Sequence, residues 1–248
     1  MSKFFVEPSC IEGKYIYLKD KSDIHHMKKV LRLSAGDEVD VSDGAEWEYR
    51  AEIKTIYEDE VTLVILDKQK FAREPRLHVT LYQGIPKAGK MEGIIQKSVE
   101  LGVFSIVPVF MERTVVVDKG NFGKKLERWQ KISDEAVKQC KRGIVPQIDE
   151  AIKFSGAIEQ LNQYDLILFP YENEEERTIK DCLRRISESE DKPKMVAIII
   201  GPEGGFSPKE AALLDTVGAE RVSLGKTILR TETAGPAALA MTMYELEL

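Results

Sequence analysis

A chain of 248 residues is long enough for two modest domains or one large one, each able to bury a core of its own. Its 43% hydrophobic and 31% charged residues are an ordinary globular mixture, which argues against a disordered or fibrous chain. A net charge of −6 argues against a protein that coats nucleic acid over its whole surface, while leaving room for a basic groove on an acidic body.

In chain order, residues 1–72 are predicted to be mostly β. Alternating or β-branched runs at 14–18, 38–42, 48–56 and 61–66 are separated by turn signals such as Ala35-Gly36-Asp37 and Ser42-Asp43-Gly44, a pattern that suggests a small barrel. One helical stretch interrupts them, SDIHHMKKVLRLSAGD, with Ile24, Met27, Val30 and Leu31 on its apolar face. Its cations Lys28, Lys29 and Arg32 are either a solvated face or a phosphate-binding surface. His25 and His26 are adjacent, so they point about 100° apart on a helix and do not make a metal site.

Residues 70–76 read as a linker, and the domain that follows, 73–248, alternates elements. Strands are predicted at 77–83, 105–109, 166–169, 196–200 and 221–224, with helices at 90–101, 122–142 and 175–187, after Ser207-Pro208, and at the end of the chain. That alternation implies an α/β domain with a mainly parallel sheet. Lys87 and Lys90 stand where a strand leads into a helix, a place that attracts anions when its lysines are free. Lys138, Lys141 and Arg142 close the long helix, where cations also serve as ordinary dipole partners.

The stretch 196–240 carries the densest signal. A β-branched run stops at Gly201-Pro202-Glu203-Gly204-Gly205, where glycine permits backbone angles that larger residues resist. Ser207, Pro208 and Glu210 then spell a capped helix start. A second loop, GKTILRTETAG, begins at Gly225. Two such loops at the carboxyl ends of parallel strands form a crevice in which backbone amides meet a small ligand. Dinucleotide, phosphate-loop and nucleophile-elbow patterns are absent. Cys10, Cys140 and Cys182 have no CxxC spacing and the three histidines no zinc pattern, so free thiols, no metal and a cytoplasmic setting are expected. The start MSKFFVEPS reads as no signal peptide, and no apolar run reaches membrane-spanning length.

The combination IIIGPEGGFSPKE and LGKTILRTETA resembles the signature of the RsmE family of 16S rRNA uridine-N3 methyltransferases, in the SPOUT superfamily. HHMKKVLRLSAGDEV, KMEGIIQKSVELGVFSIVPV, ERTVV and RWQKISDEAVKQCKRGIVP extend the resemblance over both halves of the chain. It implies a PUA-like β-barrel over 1–72 that binds RNA. It also implies a SPOUT methyltransferase domain over 73–248 with a deep trefoil knot, through which Ala234, Gly235, Ala237, Ala238 and Ala240 would ease the last helix. It further implies a homodimer and S-adenosylmethionine held by Leu168, Phe169, Ile200, Gly201, Pro202, Glu203, Gly204, Gly205, Leu224, Gly225, Ile228 and Leu229. In that reading Arg230 stabilises charge on the uracil oxygens, and Glu203, or water, takes the N3 proton. The plainer alternatives are a structural clamp for Arg230 and a loop-fixing hydrogen bond for Glu203. Lys28, Lys29, Arg32, Lys87, Lys90, Lys138 and Arg142 would contact the rRNA of the small subunit. Three other readings are an assembly factor that binds RNA without catalysis, a SPOUT enzyme acting on another atom, and a small-molecule enzyme without RNA.

Overall fold

The computed structural model describes residues 3–71, 74–118 and 122–248. The chain divides into two compact units, Met1–Glu74 with Val137–Val145, and Pro75–Ala136 with Pro146–Leu248. The boundary read from the sequence, between Ala72 and Arg73, lies outside the described residues.

The first unit is a six-stranded sheet of β1 (Lys3–Phe5), β2 (Ile11–Glu12), β3 (Tyr15–Leu18), β4 (Glu38–Ser42), β5 (Trp47–Ile56) and β6 (Val61–Lys70), in the order β1-β4-β5-β6-β3-β2. β1 runs parallel to β4, and the other pairs are antiparallel. Strand alternation decides which side is inside: Tyr49, Ala51 and Ile53 of β5 are buried while Arg50, Glu52 and Lys54 are exposed. They join Phe4, Ile16, Val41 and Leu63 in one core with Ile24 and Met27. The last two come from the predicted helix, which is shorter than its apolar pattern. α1 (Lys21–His25) is capped by Asp20, which accepts from the Asp23 amide at 2.9 Å, and it widens into a π-type turn over His26–Val30. It stops there because Arg32 takes a left-handed backbone, φ +55°.

Residues 137–145, which the sequence assigns to the second domain, cluster with this first unit. Glu74 accepts from Arg142 Nη2 at 2.9 Å and from the amides of Gly143 and Ile144 at 2.6 and 3.0 Å. Ser42 Oγ donates to the Gly143 carbonyl, and buried Lys3 pairs with Glu48 and donates to the Lys141 carbonyl. A side chain at Gly143 would stand 2.5 Å from the Phe71 ring, so only glycine fits.

The second unit holds β7 (His78–Gly84), α2 (Lys90–Glu100), β8 (Ser105–Phe110), α3 (Phe122–Cys140, the last turn of which belongs with the first unit), β9 (Gln147–Ile148), β10 (Ile152–Lys153) and α4 (Phe154–Leu161). β11 (Leu166–Pro170), α5 (Ile179–Ser187), β12 (Met195–Ile200), α6 (Pro208–Thr216), β13 (Glu220–Val222) and α7 (Thr231–Leu246) complete it. All its strand pairs are parallel, in the order β10-β8-β7-β12-β11-β13, with β9 beside β8. A parallel sheet covered on both faces needs strands that are apolar throughout, as MVAIII of β12 is. Ala197 and Ile199 join the core that includes residues of α4 and α6, while α7 packs on β7 and β12 beside α2 and α5. α5 starts at Ile179 rather than at the predicted residue 175, because Glu174 folds back on the amides of Glu176 and Arg177 and Thr178 is the N-cap. α4 and the short strands β1, β2, β9 and β10 carry too little pattern to be anticipated, whereas β13 falls where a strand was predicted at 221–224. Among the described residues no helix is long and apolar enough to cross a membrane.

Candidate active site

The carboxyl ends of β11, β12 and β13 meet at one cavity of about 470 Å³. The loop after β12 is shaped by close backbone approach. A Cβ on Gly84 would stand 2.6 Å from the Pro202 nitrogen, and one on Gly205, at φ +66°, would strike the Glu172 carboxylate. The Gly205 amide donates to the Pro202 carbonyl at 2.9 Å, closing the turn. The loop then passes into the capping box read from the sequence: Ser207 Oγ accepts from the Glu210 amide and Glu210 Oε2 from the Ser207 amide. Glu210 is buried, and its other oxygen accepts from the Glu112 amide at 2.8 Å. Arg113, one residue on, donates to the Gly204 carbonyl at 2.8 Å. The ERTVV segment therefore braces the glycine loop.

The second loop runs from Ser223 to Arg230, with Gly225 at φ +144° and open space where its side chain would be. Ile200 to Gly205, Leu224, Gly225, Ile228, Leu229 and Arg230 all line the cavity. Leu168 and Phe169 do not. Both are wholly buried in the sheet, and Phe169 packs edge-on against Phe206 with ring centroids 5.5 Å apart. The strand reaches the cavity only with its last residue, so Pro170, Tyr171 and Glu172 take the place assigned to Leu168 and Phe169.

Glu203 and Arg230 differ in their surroundings. Glu203 Oε1 accepts from the Lys87 amide and from Lys90 Nζ, each at 3.0 Å, and Lys90 also reaches Glu232 at 3.3 Å. Partial burial alone would raise the Glu203 pKa, but these donors and its own amide outweigh it and hold the carboxyl below its usual range. Hydrogen bonds and charge from the two carboxylates push Lys90 above its usual range. Arg230, the exposed N-cap residue of α7, makes no side-chain hydrogen bond or ion pair to the described residues.

The cations expected to meet RNA separate into two groups. Lys29 and Arg32 are exposed, Lys28 is half-buried, and the Lys87 side chain is exposed. Lys90 is committed to its two carboxylates, and Lys138 pairs with Asp23 at 3.0 Å while staying partly exposed. Arg142 is corrected outright: it is 6% exposed and bound to Glu74, so it fastens the chain rather than meeting phosphate. Sequence reasoning missed Glu172, Arg113 and Gln83, because their roles depend on loops far away in the chain.

Residues 73–243 match the family model of an RNA methyltransferase domain, and residues 18–66 that of an RNA methyltransferase PUA domain. An α/β unit with a two-loop cavity, in one chain with a PUA domain, defines the class: this is an RNA methyltransferase. The ribosomal RNA small subunit methyltransferase E of Bacillus subtilis is 31% identical over 251 residues, covering 100% of this chain and 98% of its own. That of Buchnera aphidicola is 32% identical over 247 residues, covering 98% and 93%. A crystal structure of the Neisseria gonorrhoeae protein of the same name, bound to S-adenosyl methionine, superposes with a TM-score of 0.83 at 29% identity, covering 98% of this chain and 97% of that one. The chain belongs to the ribosomal RNA small subunit methyltransferase E family.

Proposed function

We propose that this protein methylates N3 of a single uridine in the 16S rRNA of the small ribosomal subunit, using S-adenosylmethionine. The observation that carries the reading is the cavity between the loop after β12 and the loop after β13, with an arginine on its wall that makes no ion pair among the described residues. Its character suits the donor. Ile200, Leu224, Ile228 and Leu229 offer apolar faces to an adenine, glycine loops leave backbone groups reachable, and the Glu172 carboxylate favours a cationic ligand. Its volume is within the usual span for small-molecule sites, about 300 to 1,000 Å³. When bound, the donor supplies an electrophilic methyl group on a sulfonium.

The chain's own residues do the rest. The two loops fix the line of approach, which is worth several orders of magnitude in effective concentration. Arg230, which makes no side-chain hydrogen bond or ion pair among the described residues, offers its charge to the uracil carbonyl oxygens, where negative charge grows as N3 loses its proton. Glu203, held below the usual carboxylate range and tied to Lys90, is a weak proton acceptor. Its part is to anchor the glycine loop to the start of α2, and the proton leaves to water.

The first unit is a PUA-like barrel that holds RNA, with Lys28, Lys29 and Arg32 as phosphate contacts; Lys87, in the second unit, is a separate phosphate contact. The second unit is a SPOUT domain in which α7 threads a trefoil knot. Support comes from the tight seat of Gly235, where a Cβ would stand 3.1 Å from Gln83 Oε1 and 3.4 Å from Leu81. The protein works as a homodimer in the cytoplasm. An apolar groove of about 690 Å³, lined by Ile179, Leu183, Met241 and Tyr244, and the 72%-exposed Tyr244 support a second copy as its cover. The test is transfer of labelled methyl groups to small subunits lacking the modification, followed by identification of the nucleoside. The expected product is N3-methyluridine; a ribose-methylated product, or none, would sink the proposal.

A further inference from the structure

A buried chain of hydrogen bonds joins the two loops of the cavity, with Thr231 and Gly201 on the cavity wall and Gln83 behind them. Thr231 Oγ1, at the first turn of α7 where the second loop ends, donates to the Gly201 carbonyl at 2.6 Å. Gln83 Nε2, at the end of β7, donates to that same Thr231 oxygen at 2.9 Å and to the Gly84 carbonyl at 2.9 Å. Gln83 is wholly buried and Thr231 is 6% exposed. The Thr231 hydroxyl has one proton, and Gln83 decides where it points: by occupying a lone pair of the oxygen, the amide leaves the proton to Gly201.

A second observation says that this arrangement carries a cost in stability. Gln83 Oε1 is buried with no hydrogen-bond partner among the described residues, and Gly235 leaves no side chain to cover it differently. An unpaired buried oxygen is costly, and an apolar side chain of the same shape would avoid that cost. A glutamine placed at that cost has its use in what its other end holds.

We infer that Gln83 and Thr231 are positioning residues that set the spacing of the two cavity loops, and hence the affinity for the methyl donor, without touching the reacting atoms. The inference rests on the functional reading above. It yields a result that a purely structural role would not give. In Gln83→Met the unpaired buried oxygen is gone but the Gly84 carbonyl and the Thr231 oxygen lose their donor, so the two effects oppose each other and the melting temperature of the donor-free protein changes little. Binding of S-adenosylmethionine weakens about tenfold, the effect of one lost hydrogen bond on an equilibrium.

Thr231→Val, which keeps the shape and removes the hydroxyl, raises Kd and KM for the donor about tenfold or more. Turnover at saturating donor falls far less. Thr231→Ser restores both constants. Calorimetry with S-adenosylmethionine, thermal melting and steady-state kinetics on the full chain read all three. Parental affinity in both Gln83→Met and Thr231→Val overturns the inference and leaves the functional reading standing. A Thr231→Ser variant as weak as Thr231→Val overturns it too, as does a Gln83→Met whose only change is a lower melting temperature. Failure of the parental protein to bind the donor removes the functional reading and this inference together.

Discussion

Arg230 and Glu203 line one cavity with opposite electrostatic fates. A guanidinium with no hydrogen bond or ion pair among the described residues has its charge available to a substrate, whereas a carboxylate with two donors has spent most of its own. Arg230→Ala is therefore expected to lower turnover about 100- to 1,000-fold, the scale of losing one group that stabilises developing charge. Donor affinity measured by calorimetry should change much less. For Glu203 the informative quantity is pH. Its pKa is lowered, so the stability it contributes is present above the usual carboxylate range and is lost as pH falls through the lowered value. Lys90 is raised, so its contribution is present below the usual lysine range and is lost as pH rises through the raised value. Between about pH 6 and 9 neither changes charge. Glu203→Gln should thus leave the shape of the pH–rate profile in that window unchanged; loss of its acidic limb would make Glu203 the proton acceptor after all.

At the scale of single elements, α6 shows how a local motif serves a remote purpose. Its capping box satisfies the helix start, as the sequence SPKE signals. The structure adds that the same Glu210 carboxylate also holds the Glu112 amide, so the helix cap fixes the segment from which Arg113 reaches Gly204. Ser207→Ala should cost about 1 kcal/mol, the usual effect of an N-cap. Glu210→Ala should cost more, because it leaves both the Ser207 and the Glu112 amide unpaired. Urea unfolding of the two variants checks the order. Equal losses would mean that the Glu112 bond contributes nothing.

At the scale of the whole molecule, charge distribution matters more than charge total. The chain is acidic overall, yet Lys28, Lys29 and Arg32 lie close together along one short stretch of the first unit, exposed or half-buried and without ion pairs among the described residues. If they contact phosphates, replacing all three by alanine should flatten the plot of log affinity for rRNA against log salt by about 2 units of slope, while the choice of nucleotide persists. An unchanged slope places the RNA elsewhere. Tyr244→Asp sets a charge in the apolar groove and is expected to give monomers in sedimentation equilibrium, with dimers in the parental protein. Dimers in the variant would assign that groove another use.

Patterns of short range were open to reading in the amino-acid order because their causes are local. Strand alternation in β5, the apolar run of β12, the Ser207 to Glu210 cap and the glycine loop all follow from a residue and its near neighbours. The family resemblance supplied the identity of the ligand, which no spacing carries. Other features had to await the packed chain. That Leu168 and Phe169 are core, that Arg142 is bound to Glu74, and that Lys90 is neutralised by Glu203 and Glu232 depend on partners that packing brings near. The separation between Gln83 and Thr231 is 148 positions along the chain and 2.9 Å in space. A residue's type limits what it can do, but burial and the partner that folding sets beside it decide whether its charge or its hydrogen bond is still free to act.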